Sequence, residues 1–201
     1  MIGRMKPYYQ DKWVYSLCDY SGEWIKPYKE AGYPTMQIDL KFGYDVRLLT
    51  VPDCFILGVI AAPPCTVFAG SGAKWRALRA TSEVLEGLSI VDACLRFIYA
   101  TKPEFWALEN PVGWLKDYLG EPQLYFDPCD YGDPYTKRTC LWGKFNMPVK
   151  NPVVPSQGSK IHLCWGGRSE HTKTMRSLTP PGFARAFYDA NNCSQKVMEL
   201  A

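Results

Sequence analysis

Residues 54–62, CFILGVIAA, form an unbroken apolar run that ends at Pro63 and Pro64 and is followed at once by Cys65. A run this short, stopped by two prolines, predicts a strand of a parallel sheet that is covered on both faces and delivered into a loop. The chain is therefore expected to be an α/β protein, with a mostly parallel sheet flanked by helices. Cys65 then stands at the C-terminal edge of that sheet, where open α/β folds place their ligands. A thiol there is either a small loop residue or a nucleophile.

At 201 residues the chain is long enough for one well-buried domain, and no linker or composition shift marks a second. Residues 1–201 are read as a single domain. No apolar run approaches the roughly 20 residues needed to span a bilayer, and no apolar leader with a basic flank opens the chain, so a soluble, intracellular protein is expected. The eight cysteines are scattered without CxxC pairs, which predicts reduced thiols. A net charge of +3 does not by itself argue for a nucleic-acid partner. Its distribution is more informative. Segment 144–178 carries Lys144, Lys150, Lys160, Arg168, Lys173 and Arg176 with Glu170 as its one acid, and reads as a basic loop that either meets phosphates or is simply solvated. His162 and Cys164 in this segment lack partners at zinc-like spacing, so no metal is expected. Trp165 is read as loop packing or as a surface for stacking a single-stranded base.

The remaining chain alternates strands and helices. WVYSLCD (13–19) predicts a first strand, YSG a turn, EWIKPYKEAG a short helix closed by Gly32, and TMQIDL a second strand ending at Asp39. This order resembles a nucleoside-binding βαβ unit, in which an acid about 20 residues after the turn binds ribose hydroxyls. SEVLEGLSIVDACLRFIYATK carries apolar residues at helical spacing. EFWALEN predicts a further strand, which brings Glu109 and Asn110 to the same sheet edge as Cys65. A carboxylate before Asn-Pro at a strand end is either a salt-bridge partner or a site residue. Lys74 and Arg76, in the loop after Cys65, would make that thiol's setting electropositive. LYFDPCDYG and RTCLWGKF predict two late strands forming a hairpin across PYTK, and TPPGFARAFYDANN a closing helix with Pro at its start.

In order, CDYSG, QIDL, APPCTVF, ALENPVG and YGDPYTKRTCLWG resemble the motif series of the C5-cytosine DNA methyltransferases, from about Leu17 to Gly143. The resemblance implies a Rossmann-like class I domain that binds S-adenosyl-L-methionine and transfers its methyl group to carbon 5 of cytosine in DNA. It implies Cys65 as the nucleophile at carbon 6 and Glu109 as the acid at ring nitrogen 3, with Asn110 ordering the loop. Lys137 falls nearest the first of two arginines in the family's late motif, and Arg138 beside it is the candidate for the second function. On the cofactor side it implies Tyr20, Ser21 and Gly22 in the first loop, Asp39 at the ribose, Asp45 at the adenine amino group, and Pro64 and Trp24 close by.

The chain departs from that pattern in four places. Glu23 and Trp24 stand where a second glycine is common, PYTKRT replaces the family's Gln and alternating arginines, only about 35 residues separate Trp142 from Thr179, where sequence-reading members carry a long recognition segment, and the closing RSLTPPGFARAF differs from the family's usual last motif. Short or weak sequence specificity is expected, on single- or double-stranded DNA, with a recognition partner protein as one route to selectivity. The trimmed form resembles phage or prophage methylases, which implies the cytoplasm of a bacterial or phage-infected host cell. RNA or a free cytosine nucleotide is the alternative substrate, and a cofactor-binding module without turnover the non-enzymatic alternative. Methylation of an exocyclic amino group fits poorly, because that chemistry wants an Asp or Asn before the prolines and an aromatic after them, where this chain has Ala62 and Cys65.

Overall fold

The computed structural model describes residues 11–70, 78–159 and 177–193. Six strands make one sheet: β1 (Trp13–Leu17), β2 (Thr35–Ile38), β3 (Ile56–Ala61), β4 (Phe105–Pro111), β5 (Leu124–Phe126) and β6 (Thr139–Lys144), in the spatial order β2-β1-β3-β4-β6-β5. The first four are parallel. β6 runs antiparallel between β4 and β5. The late strands thus pair as the expected hairpin partners, but their connection is longer than PYTK and includes a 3-10 turn at Pro128–Tyr131.

Every residue of β3 is buried, as its unbroken apolar sequence requires. One sheet face packs on α2 (Thr81–Thr101): Val91, Cys94, Phe97 and Ile98 meet Leu17, Val59, Ala61 and Leu108. The other packs on α1 (Lys26–Glu30) and the closing helix, with Trp24, Ile25, Tyr28, Phe183 and Phe187 against Val14, Leu57, Ile60 and Leu141. A short α3 (Lys116–Leu119) follows β4, and the closing helix is α4 (Pro181–Asn191), begun by proline as expected. The result is a three-layer α/β/α arrangement. α2 stops at Lys102, which takes a left-handed φ of 49° just before Pro103. Among the described residues, no helix is long and apolar enough to cross a membrane.

The registers set up the site. Leu17 pairs with Ala61 and Ala61 with Leu108, so β1 and β3 end level and β4 runs three residues further, to Pro111, carrying Glu109 and Asn110 just past that level. The loops after all three open on one edge.

Candidate active site at the C-terminal edge of the sheet

After Ala61 the chain leaves the sheet through buried Pro63 to exposed Pro64 and Cys65. Cys65 begins a tight turn: its carbonyl accepts from the N–H groups of Phe68 and Ala69 at 3.0 and 2.9 Å. That turn is fastened to the loop after β4. Phe68 is fully buried, with its ring edge-on to Trp114 at 5.2 Å. Gly70 N–H donates to the Val112 carbonyl at 2.8 Å and Trp114 N–H to the Phe68 carbonyl at 3.0 Å. Gly113 makes this approach possible, since a Cβ there would lie 1.9 Å from the Phe68 oxygen. Asn110 completes the join, its Nδ2 donating to the Pro63 carbonyl at 3.0 Å. Two loops from neighbouring strands therefore form one support, from which the Cys65 side chain is open to solvent. An exposed thiol on a fixed turn meets the first requirement of a nucleophile.

Glu109, one residue before Asn110 on β4, pairs across the sheet with Leu141 of β6. Burial pushes its carboxyl pKa up, the positive charge of Lys137 pulls it down, and the negative charge of Asp19 raises it. Burial prevails, so the acid form of Glu109 is favoured beyond the ordinary carboxylate range. Lys137 is itself buried, with Nζ donating to the Leu178 carbonyl at 3.3 Å and its backbone N–H to Asp127 Oδ1 at 2.9 Å. The Lys137 ammonium thus acts on Glu109 through its charge, while its hydrogen bond goes to the Leu178 carbonyl.

Arg138 does not join this group. Its guanidinium is turned outward, 3.2 Å from Asp127 Oδ2 and 5.8 Å from the Tyr125 ring centroid. Adjacent residues entering a strand point to opposite faces, so when Lys137 is buried beside Glu109, Arg138 faces away. Of the two cations expected at the site, the structure sets Lys137 where its charge acts on Glu109 and turns Arg138 outward to Asp127.

The first loop, after β1, is organised by a residue the sequence reading did not single out. Asp19, only 6% exposed, accepts from Ser16 Oγ at 2.7 Å, Ser21 Oγ at 2.9 Å and Gly22 N–H at 2.8 Å. Gly22 turns the chain at φ 70°, a conformation that disfavours any side chain. The available signal was an acid at a strand end directly before Tyr-Ser-Gly. Tyr20 is about half exposed, its ring 5.3 Å from that of Phe42, with Lys41 Nζ 4.2 Å above it. Asp39 directly follows the second strand, where Oδ1 accepts from Lys41 N–H at 2.9 Å. An exposed aromatic pair and a half-buried carboxylate at neighbouring strand ends are the group types that suit a planar ring joined to a diol.

Two residues expected on the cofactor side are engaged within the fold. Trp24 is in the core, its ring 5.8 Å from Phe183 and 5.4 Å from Phe187, with 1% of the residue exposed. No ring face is left for a ligand. Asp45 is engaged by Arg47, whose Nε and Nη2 donate to its carboxylate at 2.7 to 3.0 Å, while Nη1 reaches Glu86 on α2 at 2.6 Å. This ties a 3-10 turn to the helix and holds the Asp45 carboxyl below its ordinary pKa. Asp45 is thus a structural partner of Arg47. Lys74 and Arg76, along with Lys160, His162, Cys164, Trp165, Arg168, Lys173 and Arg176 of the basic segment, lie outside the described residues. Among the described residues no group of three or more His, Cys, Asp or Glu side chains is placed to hold a metal ion.

No family model and no curated protein matches this sequence. Solved structures do match in fold. One, provisionally designated a DNA modification methyltransferase encoded within a prophage (E. coli), aligns with a TM-score of 0.52 at 16% identity, over 71% of this chain and 53% of its own. The alignment thus spans about half of that protein's length, and at this identity the likeness is one of fold.

Proposed function

We propose that this chain is an S-adenosylmethionine-dependent DNA methyltransferase that acts on carbon 5 of cytosine through a covalent bond to Cys65. The observation that carries the reading is the join between neighbouring strand ends. The turn that presents exposed Cys65 is held at the Pro63 carbonyl by Asn110, on the strand that carries a carboxyl whose pKa burial raises. The shared fold with a protein designated a DNA modification methyltransferase supports it.

Carbon 5 of cytosine is a weak nucleophile, so the residues must first change the ring's electron distribution. Cys65, as thiolate, forms a C–S bond at carbon 6. The carbon 5–carbon 6 π pair is then displaced toward carbon 5 and the ring. Glu109, in its acid form, donates to ring nitrogen 3 and stabilises the charge that attack develops there. Lys137 offsets the negative charge whenever Glu109 gives up its proton. Asn110 holds the Pro63 carbonyl and thereby the direction in which Cys65 leaves the strand. Tyr20, Ser21, Gly22 and Asp39, ordered by Asp19, would hold S-adenosylmethionine, which when bound supplies an electrophilic methyl group. Loss of the carbon 5 proton and release of the Cys65 thiolate restore the aromatic ring.

A target base in duplex DNA would have to leave the stack, at a cost of a few kcal/mol. With only about 35 residues between Trp142 and Thr179, little chain is available for reading bases in a groove. Short sequence specificity and a preference for single strands follow. The test is incubation with methyl-labelled S-adenosylmethionine and, separately, single-stranded DNA, duplex DNA, RNA and a cytidine nucleotide, followed by nucleoside analysis. The reading expects labelled 5-methyldeoxycytidine, most from the single strand. Label confined to RNA or the nucleotide would replace the substrate class, and label on an exocyclic amino group would overturn the mechanism.

A further inference from the structure

Away from the reacting groups, two other cysteines face each other across the α2 side of the sheet. Cys18 lies just past the end of β1 and Cys94 in the middle of α2, 76 residues apart in sequence, with their sulfurs 3.9 Å apart. Cys94 is fully buried, whereas Cys18 is half-buried. Cys18 is also one of only two non-glycine residues with positive φ among those described, at 57°, and its N–H is held by the Ile38 carbonyl at 2.7 Å. Such strain persists only where surrounding structure imposes it, and it sets the Cys18 side chain toward the helix.

We propose that Cys18 and Cys94 are a reversible oxidation site, at which a peroxide converts the two thiols to a disulfide joining the cofactor-side loop to α2. A sulfur–sulfur bond is about 2.0 Å long, so side-chain rotation must close only about 2 Å. Cys18 is the sulfur that meets the oxidant, because Cys94 is enclosed and its proton is held by the contact with Cys18 and by burial. In the first step the Cys18 sulfur attacks one oxygen of hydrogen peroxide and the O–O bond breaks. Cys18 becomes a sulfenic acid, and the thiol proton leaves with hydroxide as water. In the second the Cys94 sulfur attacks the Cys18 sulfur, forming S–S and breaking S–O, and the Cys94 proton leaves with that hydroxide as a second water. Two thiols lose two electrons and two protons, and one peroxide is reduced to two waters. The bridge would fix the residue before Asp19, on which the Ser21–Gly22 loop is built. The site does not depend on the methyltransferase reading.

The sequence makes the test unambiguous. Trypsin releases Cys18 in peptide 13–29, because Lys26 precedes Pro27, and Cys94 in peptide 80–96, each with a single cysteine. Cys54 and Cys65 travel together in peptide 48–74. The intact protein is treated with one equivalent of hydrogen peroxide, blocked with N-ethylmaleimide in denaturant, digested and weighed. The expected product is peptide 13–29 joined to 80–96, two hydrogens lighter than their sum and separated by dithiothreitol. In Cys94→Ala the joined species is lost, and Cys18 sulfenic acid is captured by dimedone instead. The proposal is overturned if wild-type protein yields both peptides maleimide-labelled while 48–74 is oxidised, or if Cys18 is found joined to any other cysteine.

Discussion

Replacing Gly113 with alanine tests whether the Cys65 turn owes its position to the loop after β4. The new Cβ would stand 1.9 Å from the Phe68 carbonyl oxygen and 2.8 Å from the Gly70 nitrogen, both backbone atoms that no side-chain rotation can move. Relief requires the two loops to separate by about 1 Å in a region already packed at interior density. That displacement takes the Gly70-to-Val112 and Trp114-to-Phe68 hydrogen bonds, now 2.8 and 3.0 Å, out of bonding range. At about 1 kcal/mol net for each, with some further loss from Phe68 packing, Gly113→Ala should destabilise the fold by about 2 to 3 kcal/mol. Urea unfolding measures that loss directly. Because Phe68 and Ala69 are bonded to the Cys65 carbonyl, adduct formation at Cys65 should also slow under conditions where the variant remains folded. A stability change below about 0.5 kcal/mol with an undiminished adduct rate would show that the two loops are not mechanically joined.

Glu109→Gln should lower methyl transfer by roughly 100-fold to 10,000-fold, the usual range for removing a general acid, as read by single-turnover label transfer. The same variant tests the shifted carboxyl. A folded-state pKa raised by burial means that wild-type stability is fullest below the unfolded carboxylate pKa and is lost as pH rises through the folded one, so the variant should lose that slope and gain on wild type at neutral pH in urea titrations. Lys137→Met should move the basic limb of the pH–rate profile upward, since the charge that lowers the Glu109 pKa is gone; an unmoved limb would remove Lys137 from the site. Arg138→Ala, by contrast, should leave that limb in place and cost under about 1 kcal/mol, because the guanidinium that pairs with Asp127 is solvent-exposed. Asp19→Ala removes the acceptor for three hydrogen bonds, and should weaken S-adenosylmethionine binding in calorimetry along with a fall in melting temperature.

What was legible in the chain depended on how local the determining physics is. The apolar run before Pro63, the helical spacing from Val84 to Ile98 and the Pro-Pro start of the last helix each carry their own signal, and all three elements formed close to where expected. The placement of β6 between β4 and β5 is a matter of pairing partners, which the strand's own sequence does not encode. Arg47 lies two residues from Asp45, but its anchor on Glu86 is 39 residues away, and that anchor, which the local sequence does not show, fixes the pair to α2. Trp24 on a short helix can face the core or a ligand by equal right; Phe183 and Phe187, about 160 residues later, decide it. Asp19 was overlooked for the opposite reason. A loop acid beside a glycine is common, and only the three convergent donors reveal that this one builds the loop.

The central claim concerns the bond between Cys65 and carbon 6 of cytosine, and a substrate with fluorine at carbon 5 makes that bond persist because the final elimination is blocked. Protein incubated with a 5-fluorocytosine oligonucleotide and S-adenosylmethionine, then denatured and weighed, should gain the mass of the oligonucleotide and one methyl group less the thiol hydrogen. Peptide mapping should place the linkage at Cys65, and Cys65→Ala should show no gain. Intact wild-type mass on both single- and double-stranded DNA, with S-adenosylmethionine binding demonstrated in the same preparation, would contradict covalent catalysis on DNA by this chain.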